Sequence, residues 1–443
     1  MSVRGHRARA RDRRDARIRS VGPLRNRDFR LLFAGRCISL LGDGAFLVAM
    51  AWEAYTISDA PTALSLLGIA MTVPLVTLLL VGGVVSDRHD RRRVMLCADL
   101  VRAAVLALLA VLATSGELHL WQMMALVAVY GAAEAFFDPA SDAILPELLP
   151  ESQLGQANAM EQFVRPLALR LAGPALGGVL VGALGCGAAF LLDGVTFVAS
   201  AGALWSMAPR ASRPLQQLSA GRAPAAAGRE LREGWSYVRR HVWLWGTFAS
   251  AAVAYLLFMG PTLVLVPFMV KHVLGGTSTQ LGIVLGAGGL GAIACAAAMG
   301  RSQLPSRGIA FVYGVWTLAT LAVAIYGLAT AMWELMLASL AFNFLETAGT
   351  IVWATMKQRH VPSNLLGRVS SLDWLISNGL LPVSLALTGP TATLLGARAT
   401  LVGAGLIGAA ATLGGLALPG MRDIDHTSGS PQISDGVALH THG

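Results

Sequence analysis

Asp43, Glu134, Asp138, Glu346 and Arg170 each lie inside a long apolar run, and Asp142 stands near the end of one. A charge at that depth is costly, so these side chains are the first candidates for function. Glu134, Asp138 and Asp142 recur at i, i+4 and i+8, which places them along one face of a helix. A carboxyl in a poorly hydrated site holds its proton more tightly than one in water. Such a group can load a proton on one side of a membrane and release it on the other, or it can meet a charged part of a passing molecule. A plainer reading stands beside this one: Arg170 or Arg102 neutralises an acid as a structural pair. Asp99 and Asp193 fit the structural reading better.

The runs that hold these residues define the fold class. Of 443 residues, 55% are hydrophobic and 13% charged, with a mean hydropathy of +0.60. A soluble domain carries about 25% charged residues. The apolar residues come in blocks of about 20, enough for a helix to cross the hydrocarbon of a bilayer. Alternating strands of a membrane barrel are absent from the pattern. The expectation is an all-α membrane protein of twelve transmembrane helices, over about 29–55, 62–86, 93–115, 120–142, 158–183, 186–208, 242–270, 279–300, 308–329, 332–355, 368–391 and 396–418.

Residues 209–241, rich in Arg, Ala, Pro and Gly, divide the spans six and six. This gives an N-terminal half (29–208), a cytoplasmic linker (209–241) and a C-terminal half (242–418). A basic arm (1–28) and a Ser-, Gly- and His-rich tail (419–443) flank them, both expected to be disordered. The arm lacks the apolar core and cleavage site of a signal peptide, and it is placed to touch anionic lipid.

Charge placement sets orientation. Of 34 Lys and Arg, only Lys271 and Arg398 fall in turns on one side; Arg36, Arg102, Arg165 and Arg170 lie in or at the ends of spans, and the other 28 share the opposite side. By the positive-inside bias both termini are cytoplasmic, in a cell (inner) membrane. The net charge of +9 is therefore read as membrane topology rather than a nucleic-acid face. Cys37, Cys97, Cys186 and Cys295 all lie in spans without metal-ligand spacing, so neither metal nor cofactor is expected. There is no G-x-x-x-x-G-K-[ST], H-E-x-x-H or G-x-S-x-G, so ATP-driven transport and membrane-embedded hydrolysis lack their machinery, and no catalytic residue is assigned.

An internal repeat is visible at an offset of 212: Trp121 falls on Trp333, Met124 on Met336, Glu134 on Glu346, Pro150 on Pro362, Leu154 on Leu366, Gly155 on Gly367 and Glu161 on Asp373. The fourth span, its turn and the start of the fifth thus recur as the tenth, its turn and the eleventh. Two parallel halves related by an axis along the membrane normal are expected, with a substrate path between them.

Between the second and third spans stands G-V-V-S-D-R-H-D-R-R-R, from Gly83 to Arg93. Gly83, Asp87, Arg88, Arg91 and Arg92 resemble the corresponding loop of the major facilitator superfamily, G-x-x-x-D-R-x-G-R-R, with Asp90 in the place of its glycine. Phe137-Asp138-Pro139-Ala140, Pro146, Pro150 and Ala157-Asn158 are similar to the segment after helix 4 in the branch of macrolide-efflux pumps and the enterobactin exporter. Gly173-Pro174-Ala175-Leu176-Gly177-Gly178 resembles the helix 5 motif of antiporters, with Leu169 in the place of its leading glycine. Asn26-Arg27-Asp28-Phe29-Arg30 and Leu191-Leu192-Asp193 are also typical of that branch. The likeness covers about residues 24–418.

The resemblance implies a secondary exporter, driven by protons, for a hydrophobic or amphipathic small molecule such as a drug or antibiotic. A dedicated exporter of a siderophore or self-made product, and an importer or uniporter of the same fold, remain as alternatives. It implies a monomer. It implies a cytoplasmic gate in which Asp87 meets the N-terminal end of the eleventh span near Gly367-Arg368 and the loop arginines meet Asp142; the plainer reading of the loop is topology alone. Gly173, Pro174, Gly177 and Gly178 let the fifth span bend and pack closely, for packing or for the mechanics of antiport. Met50, Trp52, Phe136, Phe258, Met259, Phe342, Phe344 and Trp353 could line a greasy cavity, or face lipid or core.

Overall fold

The computed structural model describes residues 22–208, 224–300, 305 and 307–427. The arm as far as residue 21, linker residues 209–223 and the tail from 428 lie outside the described residues. The N-terminal half comprises α1 (Arg27–Ile57), α2 (Pro61–Arg88), α3 (Arg91–Ser115), α4 (Leu120–Leu148), α5 (Glu151–Leu184) and α6 (Cys186–Trp205). After α7 (Pro224–Arg240) come α8 (Val242–Val273), α9 (Ser278–Met299), α10 (Gly308–Leu328), α11 (Met332–His360), α12 (Ser363–Gly379), α13 (Leu381–Leu395) and α14 (Ala397–Gly415), then a short α15 (Asp423–Thr427). Eleven of these helices are long and apolar enough to span alone, and α12 with α13 make the twelfth span.

Local chemistry explains where the helices begin and break. Asn26 caps α1 by accepting the Asp28 and Phe29 amides at 2.9 and 3.1 Å, while its own amide donates to the Leu148 carbonyl at 2.7 Å, tying α1 to the end of α4. Asp90 caps α3 through the Arg92 amide at 3.1 Å with φ −60°, so the loop needs no left-handed residue there and tolerates the loss of the motif glycine. The twelfth span breaks at Leu380 because Pro382 has no N–H for the Asn378 carbonyl and its ring crowds that carbonyl. α5 is irregular at the related depth: Pro166–Ala172 forms a π turn, and Pro174 frees the Arg170 carbonyl. The 212-residue offset carries Pro166 onto Asn378, so the two irregularities correspond.

The first and last described residues and the arginine loop lie at one end of the bundle, hereafter the basic end. The halves meet along two seams. In one, α5 packs on α9, and a Cβ on Gly178 would stand 2.7 Å from the Ser278 carbonyl and 3.0 Å from the Gly282 Cα. In the other, α2 packs on α13, with Gly68 against Leu385 and Gly389 against Thr62 and Ser65. Both seams run from mid-depth toward the end opposite the termini.

The linker gains a helix, and one expectation about the tail changes. The linker is helical from Pro224, and α7 docks on the C-terminal half: Val238 is buried, Tyr237 donates to the His360 carbonyl at 3.3 Å, and Glu233 pairs with Arg368. The tail, expected to be disordered from 419, is packed as far as it is described. Met421 and Ile424 are buried, and the Asp425 carboxylate accepts the Ile309 and Ala310 amides at 2.9 and 3.2 Å, capping α10. Apolar anchors and a helix N-terminus needing acceptors supply the ordering that composition alone did not reveal.

Candidate transport site

The N-terminal half holds a layered polar cluster. Asp43 on α1 accepts a 2.5 Å hydrogen bond from the Tyr130 hydroxyl on α4. One turn along α4, the Glu134 carboxyl has an oxygen buried without a protein partner. One turn further, Asp138 lies 3.8 Å from the Arg36 guanidinium, which also binds Glu161 of α5 at 2.6 Å. Arg36 therefore links α1, α4 and α5 at a single point. Beside this column, Arg102 and Asp99 of α3 form a buried pair at 2.6 Å. The Arg102 guanidinium lies 4.1 Å from the Phe197 ring centroid and 4.4 Å from that of Phe137.

Glu134 and Asp138 share one face of α4, as their spacing suggests, and Asp43 of α1 lies beside them, whereas Asp142 is exposed and lines a separate pocket with Arg36 and Glu161. Asp99 takes the structural role expected of it. Arg170 is exposed and makes no ion pair among the described residues; its carbonyl, freed by Pro174, abuts Gly289. Arg36, Glu161 and Tyr130 were missed in the sequence. Arg36 precedes Asp43 by seven residues, two helical turns on one face, and that spacing was the available signal.

Glu346 lies in the other half, in contact with neither Asp43 nor Glu134. It accepts a hydrogen bond from Thr350 at 2.9 Å and borders a pocket with Tyr255, Phe258 and Phe342. Its neighbour Trp353 is instead structural, with its indole 3.3 Å from the Asp373 carboxylate that Lys357 neutralises. Met50 is likewise core.

The arginine loop differs from expectation in its partners. Arg91 binds Glu147 and the Ala143 carbonyl, both at 2.7 Å, rather than Asp142, because the start of α3 faces the last turn of α4, beyond Asp142. Arg92 donates to the Leu204 and Trp205 carbonyls, both at 2.7 Å, closing the end of α6. Asp87 pairs with Arg91 at 3.6 Å, with its side chain 70% exposed, and Arg88 is exposed. Among the described residues neither forms an ion pair or side-chain hydrogen bond with α12, whose Arg368 is held by Glu233. The tight glycine is Gly82, pressed on the Ala135 carbonyl, while a Cβ on Gly83 would meet open space. Neighbouring helix positions point about 100° apart, so only one of the two can face α4.

At the opposite end the halves are latched. Tyr55 donates to the Val264 carbonyl at 2.7 Å, and Lys271 donates to the Trp52 carbonyl at 3.1 Å and to Thr56 at 2.7 Å. A π turn over Met269–Val273 carries Lys271 and His272 to this contact.

The profile of the transmembrane secretion effector family, a branch of the major facilitator superfamily, matches residues 18–440. The chain belongs to that family. The transporter is 27% identical to the multidrug efflux pump Tap of Mycolicibacterium fortuitum, over 92% of this chain and 98% of Tap. It is 26% identical to the MFS-type transporter YfiS of Bacillus subtilis (strain 168), over 76% of this chain and 80% of YfiS. Macrolide efflux protein A of Streptococcus pyogenes is 25% identical over 58% of this chain and 62% of its own length. Among solved structures, a bacterial homologue of the iron transporter ferroportin in an inward-facing state has a TM-score of 0.64 at 16% identity, covering 88% of this chain and 98% of that one. A bacterial homologue of the human lysosomal transporter Spinster, inward-facing and unoccupied, has a TM-score of 0.62 at 14% identity, covering 90% and 98%. The transporter's two six-helix halves are those of this fold.

Proposed function

We propose that the transporter exports a hydrophobic or amphipathic small molecule from the cytoplasm in exchange for protons. The observation that carries this reading is the pair of intramembrane carboxyls, Asp43 and Glu134, on facing helices beside buried cations. Neither forms an ion pair among the described residues, so each is free to exchange a proton or meet a cargo charge. The efflux function named for Tap and macrolide efflux protein A supports the direction of transport.

The arginine distribution supports a cytoplasmic position for the basic end, and with it the linker and both termini. With the halves latched at the far end and Asp87 free of α12, the structure then corresponds to an inward-open transporter ready to take cargo from the cytoplasm. Closing the basic end would bring Asp87 to the start of α12, where a helix N-terminus favours a carboxylate, and the Lys271 and Tyr55 contacts would part. α5 and its Gly173-Pro174-Gly177-Gly178 segment would serve as the pivot.

The test is efflux of a fluorescent amphipathic dye from cells, with and without a proton uncoupler, in wild type, Asp43→Asn and Glu134→Gln. Uncoupler-sensitive efflux that is lost in either variant is expected. Efflux indifferent to the uncoupler in wild type would overturn antiport.

A further inference from the structure

The C-terminal half contains a narrow pocket lined by aromatic rings and small Ala, Ser and Thr residues, whose only carboxyl, and only lining group charged near neutral pH, among the described residues is Glu346. Tyr255 and Phe258 of α8, Tyr313 and Trp316 of α10, and Phe342 and Glu346 of α11 surround it. The Phe258 and Phe342 rings meet edge to face at 5.5 Å, and Tyr255 tilts against Phe258 at 5.4 Å. Glu346 receives the Thr350 hydroxyl, and no Lys, Arg or His lines the cavity. Aromatic faces carry negative quadrupole charge, so faces grouped around a carboxylate make a receptor for a cation.

The N-terminal half shows what such a group of rings holds when it is filled. The 212-residue offset places Tyr130 on Phe342, Glu134 on Glu346 and Phe137 on Gly349. In the N-terminal half, the Arg102 guanidinium sits among Tyr130, Phe137 and Phe197, with ring-centroid distances of 5.9, 4.4 and 4.1 Å. In the C-terminal half, Gly349 lacks the Phe137 ring, and the Trp316 indole packs against that glycine, supplying an aromatic surface from the neighbouring helix. The ring at the Tyr130 position and the acid are kept, Trp316 stands in for Phe137, and no basic side chain takes the place of Arg102 among the described lining residues.

We propose that this pocket receives a positively charged nitrogen of the transported molecule, an ammonium or guanidinium carried on an apolar body. The ligand's cation takes the place beside Glu346 that Arg102 fills in the other half. Because the pocket is narrow, it takes the charged head, and the apolar remainder lies outside it. Calling this molecule the cargo rests on the export reading above, but the site can be tested without transport.

The test uses the purified full-length transporter in lipid nanodiscs and follows tryptophan fluorescence with three probes of one chain length: decyltrimethylammonium, decanol and decanoate. The cation is expected to bind more tightly than either other probe. Glu346→Gln should weaken the cation about tenfold or more and leave decanol within twofold, the scale of a desolvated charge contact. Phe342→Leu, which keeps volume and removes the ring face, should also weaken the cation several-fold, and guards against a folding defect in the Glu346 variant. Equal binding of decanol and the cation, or a cation affinity unchanged in both variants, would overturn the site. Cation binding with this pattern, but no uncoupler-sensitive efflux of the same cation from proteoliposomes, would uphold the site and overturn the export reading instead.

Discussion

Tyr130 reaches from α4 to α1 and donates a 2.5 Å hydrogen bond to Asp43. The bond joins two helices of one half at mid-depth, so any change in the charge or partners of Asp43 bears directly on the position of α4, and through it on Glu134 and Asp138.

Removing that hydroxyl tests the coupling. A hydrogen bond to a charged group contributes about 1.5–3 kcal/mol. Tyr130→Phe is expected to retain folded protein and to slow uncoupler-sensitive efflux about tenfold, with a changed dependence on external pH. Dye efflux with a wild-type pH profile in that variant would show that the bond is only structural.

Arg36 neutralises acids from two other helices, so its removal should be felt as stability. Arg36→Met leaves Asp138 and Glu161 facing each other without a cation. The sites are partly hydrated, so the expected loss is about 1–3 kcal/mol, below that of a fully buried pair. Thermal unfolding in detergent should fall by several degrees, and adding Glu161→Gln should restore part of it. No change in unfolding temperature would contradict the bridging role.

Adjacent glycines at the end of α2 predict opposite outcomes. Gly82→Val forces a side chain into the Ala135 carbonyl and should destabilise by about 1–3 kcal/mol through overpacking. Gly83→Val points into open space here and should leave unfolding unchanged, yet impair transport if the closed state brings α12 to this surface. Equal thermal loss in both variants would refute the assignment.

Glu233 now holds Arg368, the residue at the start of α12 that Asp87 is proposed to approach. In a protein cleared of its native cysteines, Asp87→Cys and Gly367→Cys, which leaves Arg368 in place beside an open position, should cross-link poorly at rest and readily during turnover. Glu233→Gln should raise the resting yield. A yield independent of turnover would mean that the loop never meets α12.

Twelve spans, the six-and-six division and the correspondence of α4 with α11 were legible because each rests on hydropathy blocks or a fixed offset. Pro382 announced a break that a hydropathy window passes over. The acids on α4 were found because i, i+4 spacing maps onto one helical face. Their partners were not: nothing local ties Arg36 to Glu161, 125 residues away, or selects Glu147 over Asp142 for Arg91. The likeness to other transporters named Gly83, but only the packed structure shows that Gly82 meets α4. Aromatic residues were visible as candidates, yet Tyr255, Tyr313 and Trp316 join Phe258 and Phe342 only when three helices are assembled.

The α5–α9 seam is built largely from main chain. Gly178 faces Gly282, the Pro174 carbonyl lies against Gly282, and the Arg170 carbonyl lies against Gly289. Across these points only the short Ser278 and Thr279 hydroxyls bridge, both donating to the Gly178 carbonyl at 3.2 Å, so relative movement of the halves breaks two weak hydrogen bonds rather than an interlock of long side chains. The seam behaves as a plain bearing, smooth along its length and unforgiving of added thickness, on which a single methyl group at Gly178 or Gly282 would act as a detent.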